Sequence, residues 1–244
     1  MTDLIDAFGW LSTAEHWWGR DGILRALRDH LWYSAFSLVL AALVGLPLGL
    51  LIGHTGRGRF AAAGVANALR AVPTIGIVML LFRWRPVSIY PVLGGLTVLA
   101  IPPIMLNTAA GVDAVDADAR EAARGIGLGP WQVLFGVELP CALPLVLAGL
   151  RSAANQVIAT ATVAGFGIGL GGLGRFLFSG YGTQHYDVAY GGTYLVIALV
   201  LLVEASFALG QRRLVSPGLG GRPRRGARSA PTTMLIPPRL PGGT

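Results

Sequence analysis

Five long apolar runs constrain what this chain can fold into more than any other feature. They cover residues 31–53, 60–82, 89–111, 139–163 and 191–209. Each is roughly 20 residues or more, and a helix of about 20 residues crosses a hydrocarbon core of about 30 Å. Strands do not fit, because the runs lack a period-two alternation and are too long. Only 13% of the 244 residues are charged and the mean hydropathy is +0.61, which leaves too little charge to cover a water-facing surface. The expectation is an all-α membrane protein of about five transmembrane helices, with one membrane domain over residues 31–210 between a leader (1–30) and a tail (211–244). Pro47, Pro73, Pro102, Pro103 and Pro144 lie within the runs and predict kinked or broken helices, because a bundle can re-satisfy the freed backbone groups.

The flanks read differently. Trp10, Trp17 and Trp18 mark the leader, and residues 21–30 read as a short amphipathic helix with Ile23, Leu24 and Leu27 on one face and Arg25 and Arg28 elsewhere. Such a helix suits either the membrane interface or water. From Pro217 onward the chain is rich in Pro, Gly and Arg, a composition that predicts disorder and suits contact with anionic lipid. The net charge is +7, every basic side chain is Arg, and most of them sit between apolar runs or in the tail. That placement points to membrane topology and not to nucleic acid. Arg57, Arg59, Arg120, Arg124 and the tail arginines share one side of a five-span bundle, which predicts an outside N-terminus and a cytoplasmic C-terminus.

Several chemistries lack their parts. Cys141 stands alone, and His16, His30, His54 and His185 are scattered, so no metal site is expected. There is no GxSxG, no HExxH and no phosphate-binding GxxxxGK[ST]; the chain has no Lys at all. The chain is therefore expected to be non-catalytic and cannot itself be an ATPase. Gly169, Gly171 and Gly174 satisfy GxGxxG but lack the strand and helix of a dinucleotide site, so they suit close packing or a re-entrant turn. Inside the apolar runs stand Arg70, Asn107, Arg151, Asn155, Gln156 and Glu204. A charge facing lipid at mid-bilayer costs roughly 2.5–3.5 kcal/mol, so these side chains face protein or water. Arg151 and Asn155 are one helical turn apart and share a face. Arg70, Asn107, Arg151, Asn155 and Gln156 either line a translocation path or bond helix to helix. Glu204 reads as structural.

The longest polar stretch between runs is 113–138. Asp118 followed by Glu121 has the form of a capping box, and Ala119, Ala122 and Ala123 favour helix. Gly125, Gly127 and Gly129 break it, and Pro130 suits the first position of a second helix, 130–137. Leu139-Pro140 opens the fourth run. This helix–turn–helix is either an ordinary loop or a projection that enters a groove on a partner.

Glu121-Ala122-Ala123, three residues, Gly127, nine residues, Val137, one residue and Leu139-Pro140 resemble the EAA loop of ABC importer permeases, with Val137 in place of that loop's Ile. The resemblance implies the type I importer permease fold, with the loop serving as a cytoplasmic coupling hairpin. Such a hairpin docks on cytoplasmic ABC ATPase subunits, which hold the ATP and Mg; this chain binds no cofactor. It also implies a second permease subunit, the same or homologous, an extracytoplasmic substrate-binding protein, and alternating access in the bacterial cell membrane. Val72-Pro73-Thr74, Asn107-Thr108, Leu147-Ala148-Gly149-Leu150-Arg151 and Gly169–Gly174 are similar to the branch that imports glycine betaine, carnitine, choline or proline. An Arg such as Arg70 in the path suits a zwitterion or an anion better than a bare cation. The alternatives are an importer permease for another small solute, such as an amino acid or anion, and an ATP-independent channel or carrier.

Overall fold

The computed structural model describes residues 2–71, 76, 80, 88–164 and 171–214, except the side chains of residues 2, 3, 70, 71 and 164. All regular structure among the described residues is helical. In chain order the helices are α1 (Thr2–Ser12), α2 (Ile23–Thr55), α3 (Arg59–Ala71), α4 (Tyr90–Asp113), α5 (Ala117–Gly125), α6 (Pro130–Val133), α7 (Leu139–Ala164), α8 (Gly174–Gly182) and α9 (Tyr186–Leu214). Four helical stretches among the described residues are long and apolar enough to cross a membrane: Ile23–Thr55, Tyr90–Asp113, Pro130–Val163 and Tyr186–Leu214. Of the run at 60–82, the structure describes α3 and little beyond it. Val72-Pro73-Thr74, Arg83-Trp84-Arg85, the side chain of Arg70, Gly169 and the tail from 215 lie outside the described residues.

The first run differs from its expectation. The turns at 23–30 are not a separate amphipathic helix but the start of α2, which has 33 residues and is about 50 Å long at 1.5 Å per residue. No Gly or Pro interrupts residues 23–44, so nothing ends the helix at residue 30. The buried residues of α2 are Ile23, Ala26, His30, Ser34, Ser37, Ala41, Gly45, Gly49 and Gly53, a stripe at helical spacing that narrows to glycine. It lies against α4. A Cβ on Gly49 would stand 2.6 Å from both Met105 O and Thr108 Cβ, and one on Gly53 would stand 2.6 Å from Val112 Cβ. In lipid, this close approach supplies the dispersion that holds helices together. Gly49→Leu is therefore expected to cost at least about 1–3 kcal/mol through overpacking. The loss would be read as a lowered melting temperature of the detergent-purified protein.

Ala41, Val92, Leu96, Ala100, Ile104, Ala153, Val157 and Ala161 form the core shared by α2, α4 and α7. A second cluster gathers Ile23, Ile158, Leu173, Phe176 and Leu199 at the end where α1, α8 and α9 meet. The leader is docked there. Ala7 is buried, Phe8 stacks on Tyr194 at 5.1 Å, and Trp10 sits edge-on to Phe176 at 5.3 Å. Trp17 Nε1 donates to Leu11 O at 2.7 Å, which folds the chain back on itself. The glycine turn is held from α2: Leu173 N–H donates to His30 Nδ1 at 3.4 Å, while His30 Nε2 lies 3.1 Å from Ile158 O. Gly171 and Gly172 have φ of +83° and +81°, a conformation that favours glycine.

Candidate functional site

The site is built at the other end of the bundle, on the hairpin between α4 and α7. The cap of the first helix stands two residues before the expected one. Asp116 is the N-cap, and its carboxylate accepts from Asp118 N–H at 3.0 Å. Either Asp has the chemistry of a cap, but only Ala114 to Asp116 separate α4 from α5, which sets the start. Glu121 and Ala122 are exposed, while Ala123 is the one buried residue of α5. Gly127, at φ +88°, ends the helix. Its N–H donates to Arg124 O at 2.9 Å and Leu128 N–H donates to Ala123 O at 3.2 Å, the paired bonds of a Schellman turn. A Cβ on Gly127 would meet nothing within 4 Å, so glycine serves the backbone angle and not internal packing.

The return limb starts as expected, with Pro130 at the first helical position and Gly129 N–H donating to Gln132 Oε1 at 2.8 Å. It does not end at 137. It continues through a π-helical segment, Leu134–Glu138, directly into α7. Leu139 N–H bonds to Leu134 O, five residues back. The wider turn falls just before Pro140, whose ring would clash with the carbonyl of Gly136 in an ordinary helix and which has no N–H to give it. Val137 and Leu139 are half-buried and Pro140 is exposed. Leu139 packs against the Val112, Ala142 and Val146 cluster. Ile126, Trp131 and Phe135 are exposed, and the last two stack with ring centroids 6.2 Å apart. Together with Glu121 and Ala122 they give the hairpin an outward surface of small, acidic and aromatic groups.

Behind that surface lies a feature that sequence reasoning missed. Glu138 is fully buried. Its Oε2 lies 2.6 Å from His54 Nδ1, so a proton sits between them. Its Oε1 lies 3.0 Å from Arg120 Nε, an ion pair set off the line of a hydrogen bond. Arg120 also donates through its terminal nitrogen to Val112 O. One carboxylate thus joins the ends of α2 and α7 to α5, and Arg120 adds the end of α4. The sequence signal was an acidic residue directly before the Leu-Pro of an apolar run.

The polar residues within the spans divide. Arg151 and Asn155, one turn apart on α7, converge on Glu204 of α9: Arg151 pairs with Oε1, and Asn155 Nδ2 donates to Oε2 at 2.8 Å. Gln211 of α9 donates to Pro144 O at 3.1 Å. Asn107 does not join this group; its Nδ2 donates to Pro103 O in its own helix at 2.8 Å. Gln156 is half-buried. Among the described residues no group of His, Cys, Asp and Glu could hold a metal ion.

Residues 45–219 match the family described as binding-protein-dependent transport system inner membrane component. The chain is 36% identical over 183 residues to the carnitine transport permease protein OpuCB of Listeria monocytogenes, covering 75% of this chain and 83% of that one. It is 31% identical over 193 residues to the glycine betaine/carnitine/choline transport system permease protein OpuCB of Bacillus subtilis, covering 79% and 88%. The fold is similar to a chain of the inward-facing MetNI methionine ABC transporter, with a TM-score of 0.70 at 23% identity over 80% of this chain and 96% of that one.

Proposed function

The chain belongs to the binding-protein-dependent transport system inner membrane components, and from that premise we propose that it moves a small osmoprotectant of the glycine betaine, carnitine, choline or proline type. It is a multi-pass inner-membrane permease subunit of an ABC importer. In this reading it is non-catalytic, and ATP and Mg are handled by separate cytoplasmic ATPase subunits. A second permease subunit, the same or homologous, completes the pathway, and an extracytoplasmic binding protein delivers the solute. The N-terminus lies outside and the C-terminus in the cytoplasm, with residues 1–30 as a leader, 31–210 as the membrane domain and 211–244 as a cytoplasmic tail.

The observation that carries the reading is the hairpin. Glu121, Ala122, Ala123 and Gly127 form a capped, Schellman-closed helix with an exposed face, and Val137, Leu139 and Pro140 join it to a span. We read this as the surface that docks on the ATPase. Arg70, Asn107, Arg151, Asn155 and Gln156 are the proposed lining of the path. A second reading of Arg151 and Asn155, as ties between α7 and α9, is favoured by their shared partner Glu204.

The solute class is tested by uptake into proteoliposomes that hold the full complex with its binding protein. Labelled glycine betaine should accumulate with ATP, and unlabelled carnitine should compete better than choline, a bare cation. If an unrelated amino acid or an inorganic anion competes and the betaines do not, the solute assignment is wrong.

A further inference from the structure

We propose that Glu138 is a positioning residue that ties the hairpin helix to the membrane helices, gripping Arg120 on one side and His54 on the other. The inference rests on the coupling reading of the hairpin and goes further by naming the groups that carry the motion inward.

Helix α5 is poorly anchored by apolar packing, since Ala123 is its one buried residue. Contacts of that kind resist being pushed together but hardly resist being pulled apart, because dispersion between a few atom pairs is weak. A coupling element has to be followed in both directions. Ion pairs and charge-assisted hydrogen bonds resist both, and among the described residues those that α5 makes inward, one of each, run through Arg120. Arg120 holds Val112 O at the last turn of α4 and faces Glu138 at the entry of α7. The other oxygen of Glu138 meets His54 in the last turn of α2. Of the three helices that build the main core, the carboxylate thus ties α2 and α7 directly and α4 through Arg120.

The chemistry is costly for mere packing. Burying a carboxylate costs several kcal/mol, and apolar residues of like volume often fill such a site with equal or better stability. A fully buried glutamate with one partner on each side is the arrangement that sets a register between elements. The π segment contributes as well. It widens the turn directly before Leu139-Pro140, and Glu138 is its last residue. Segments of this kind recur at functional positions in helices.

His54 allows the tie to be cut without emptying the core. Its side chain is 16% exposed, and it borders an apolar cleft of about 360 Å3 with Pro47, Leu51, Trp131 and Phe135. A leucine is therefore accommodated there but cannot bond Glu138. An asparagine places its amide nitrogen close to where Nδ1 stands and keeps the donor. The test uses the full complex with its ATPase and binding protein in proteoliposomes, reading solute transported per ATP hydrolysed alongside the amount of ATPase bound. His54→Leu is expected to bind ATPase at wild-type stoichiometry while solute per ATP falls about tenfold, the effect of losing a coupling of about 1.4 kcal/mol. His54→Asn should restore the ratio to within about twofold of wild type. A ratio unchanged in His54→Leu, or an asparagine variant no better than the leucine one, overturns the proposal. So does a loss of folded protein that lowers uptake and hydrolysis in proportion. If the unaltered complex binds no ATPase, the coupling reading itself fails, and that outcome is separate from these. Glu138→Gln should reproduce the leucine result where it folds.

Discussion

Gly127→Trp is expected to abolish solute uptake while the protein still inserts, folds and elutes as a single species. The left-handed backbone at Gly127 (φ +88°) costs a side chain about 1–2 kcal/mol, a loss that a docked hairpin of a multi-span protein tolerates. The indole would strike nothing within the chain, because the space around a Cβ there is open for 4 Å. It would instead project from the hairpin into the space where the ATPase groove is proposed to close on α5. Losing such a contact costs about 3 kcal/mol, roughly 100-fold in affinity. Gly127→Asn, which adopts the left-handed region readily, should retain most of the uptake. Glu121→Lys should match the tryptophan variant, since it reverses the charge on an exposed face of the same helix. Uptake and ATPase co-purification, measured on the three variants at equal reconstituted protein, check all of this. Normal uptake in both Gly127→Trp and Glu121→Lys removes the coupling assignment.

The second large effect concerns the middle of the membrane. Glu204→Gln leaves the Arg151 guanidinium without its counter-charge between α7 and α9. Both side chains are about a third exposed, so the pair counts for less than a fully buried one, but an arginine left unpaired within a span costs roughly 2.5–3.5 kcal/mol where it faces lipid. The expected result is a sharp loss of folded protein in detergent. Replacing both partners, Arg151→Met with Glu204→Met, removes the unpaired charge and should restore the folded yield. On the proposed lining role of Arg151, the doubly substituted complex binds its ATPase but takes up only a small fraction of the solute. Full uptake by that variant would assign Arg151, Asn155 and Glu204 to helix packing alone.

What could be read from the chain alone divides along a physical line. Hydropathy over 20-residue windows and the spacing from Glu121 to Pro140 are local, and both carried through to helices and to a hairpin with glycine at its turn. The places where the reading slipped are competitions between equivalent local signals. Asp116 and Asp118 are equally good caps, and the short link from α4 decides between them. The amphipathic turns at 23–30 carry no breaker, so they merge with the span that follows. The remaining features are non-local. His54 and Glu138 are 84 residues apart and Arg151 and Glu204 are 53 apart, and no single-chain pattern pairs them. His54 looked isolated because its partner is supplied by the return limb of the hairpin. The π segment was also hidden, because a proline near a helix start signals a boundary far more often than a widened turn inside one continuous helix.

The most direct test of the central claim is co-purification. The protein is tagged at its N-terminus and extracted from native membranes in mild detergent, and its partners are identified by mass spectrometry beside the Gly127→Trp variant. The account predicts a P-loop ATPase with the unaltered protein and its loss from the variant, at equal amounts of permease. An ATPase that is absent from both, even after gentle cross-linking, or one that stays bound to the variant, would contradict it.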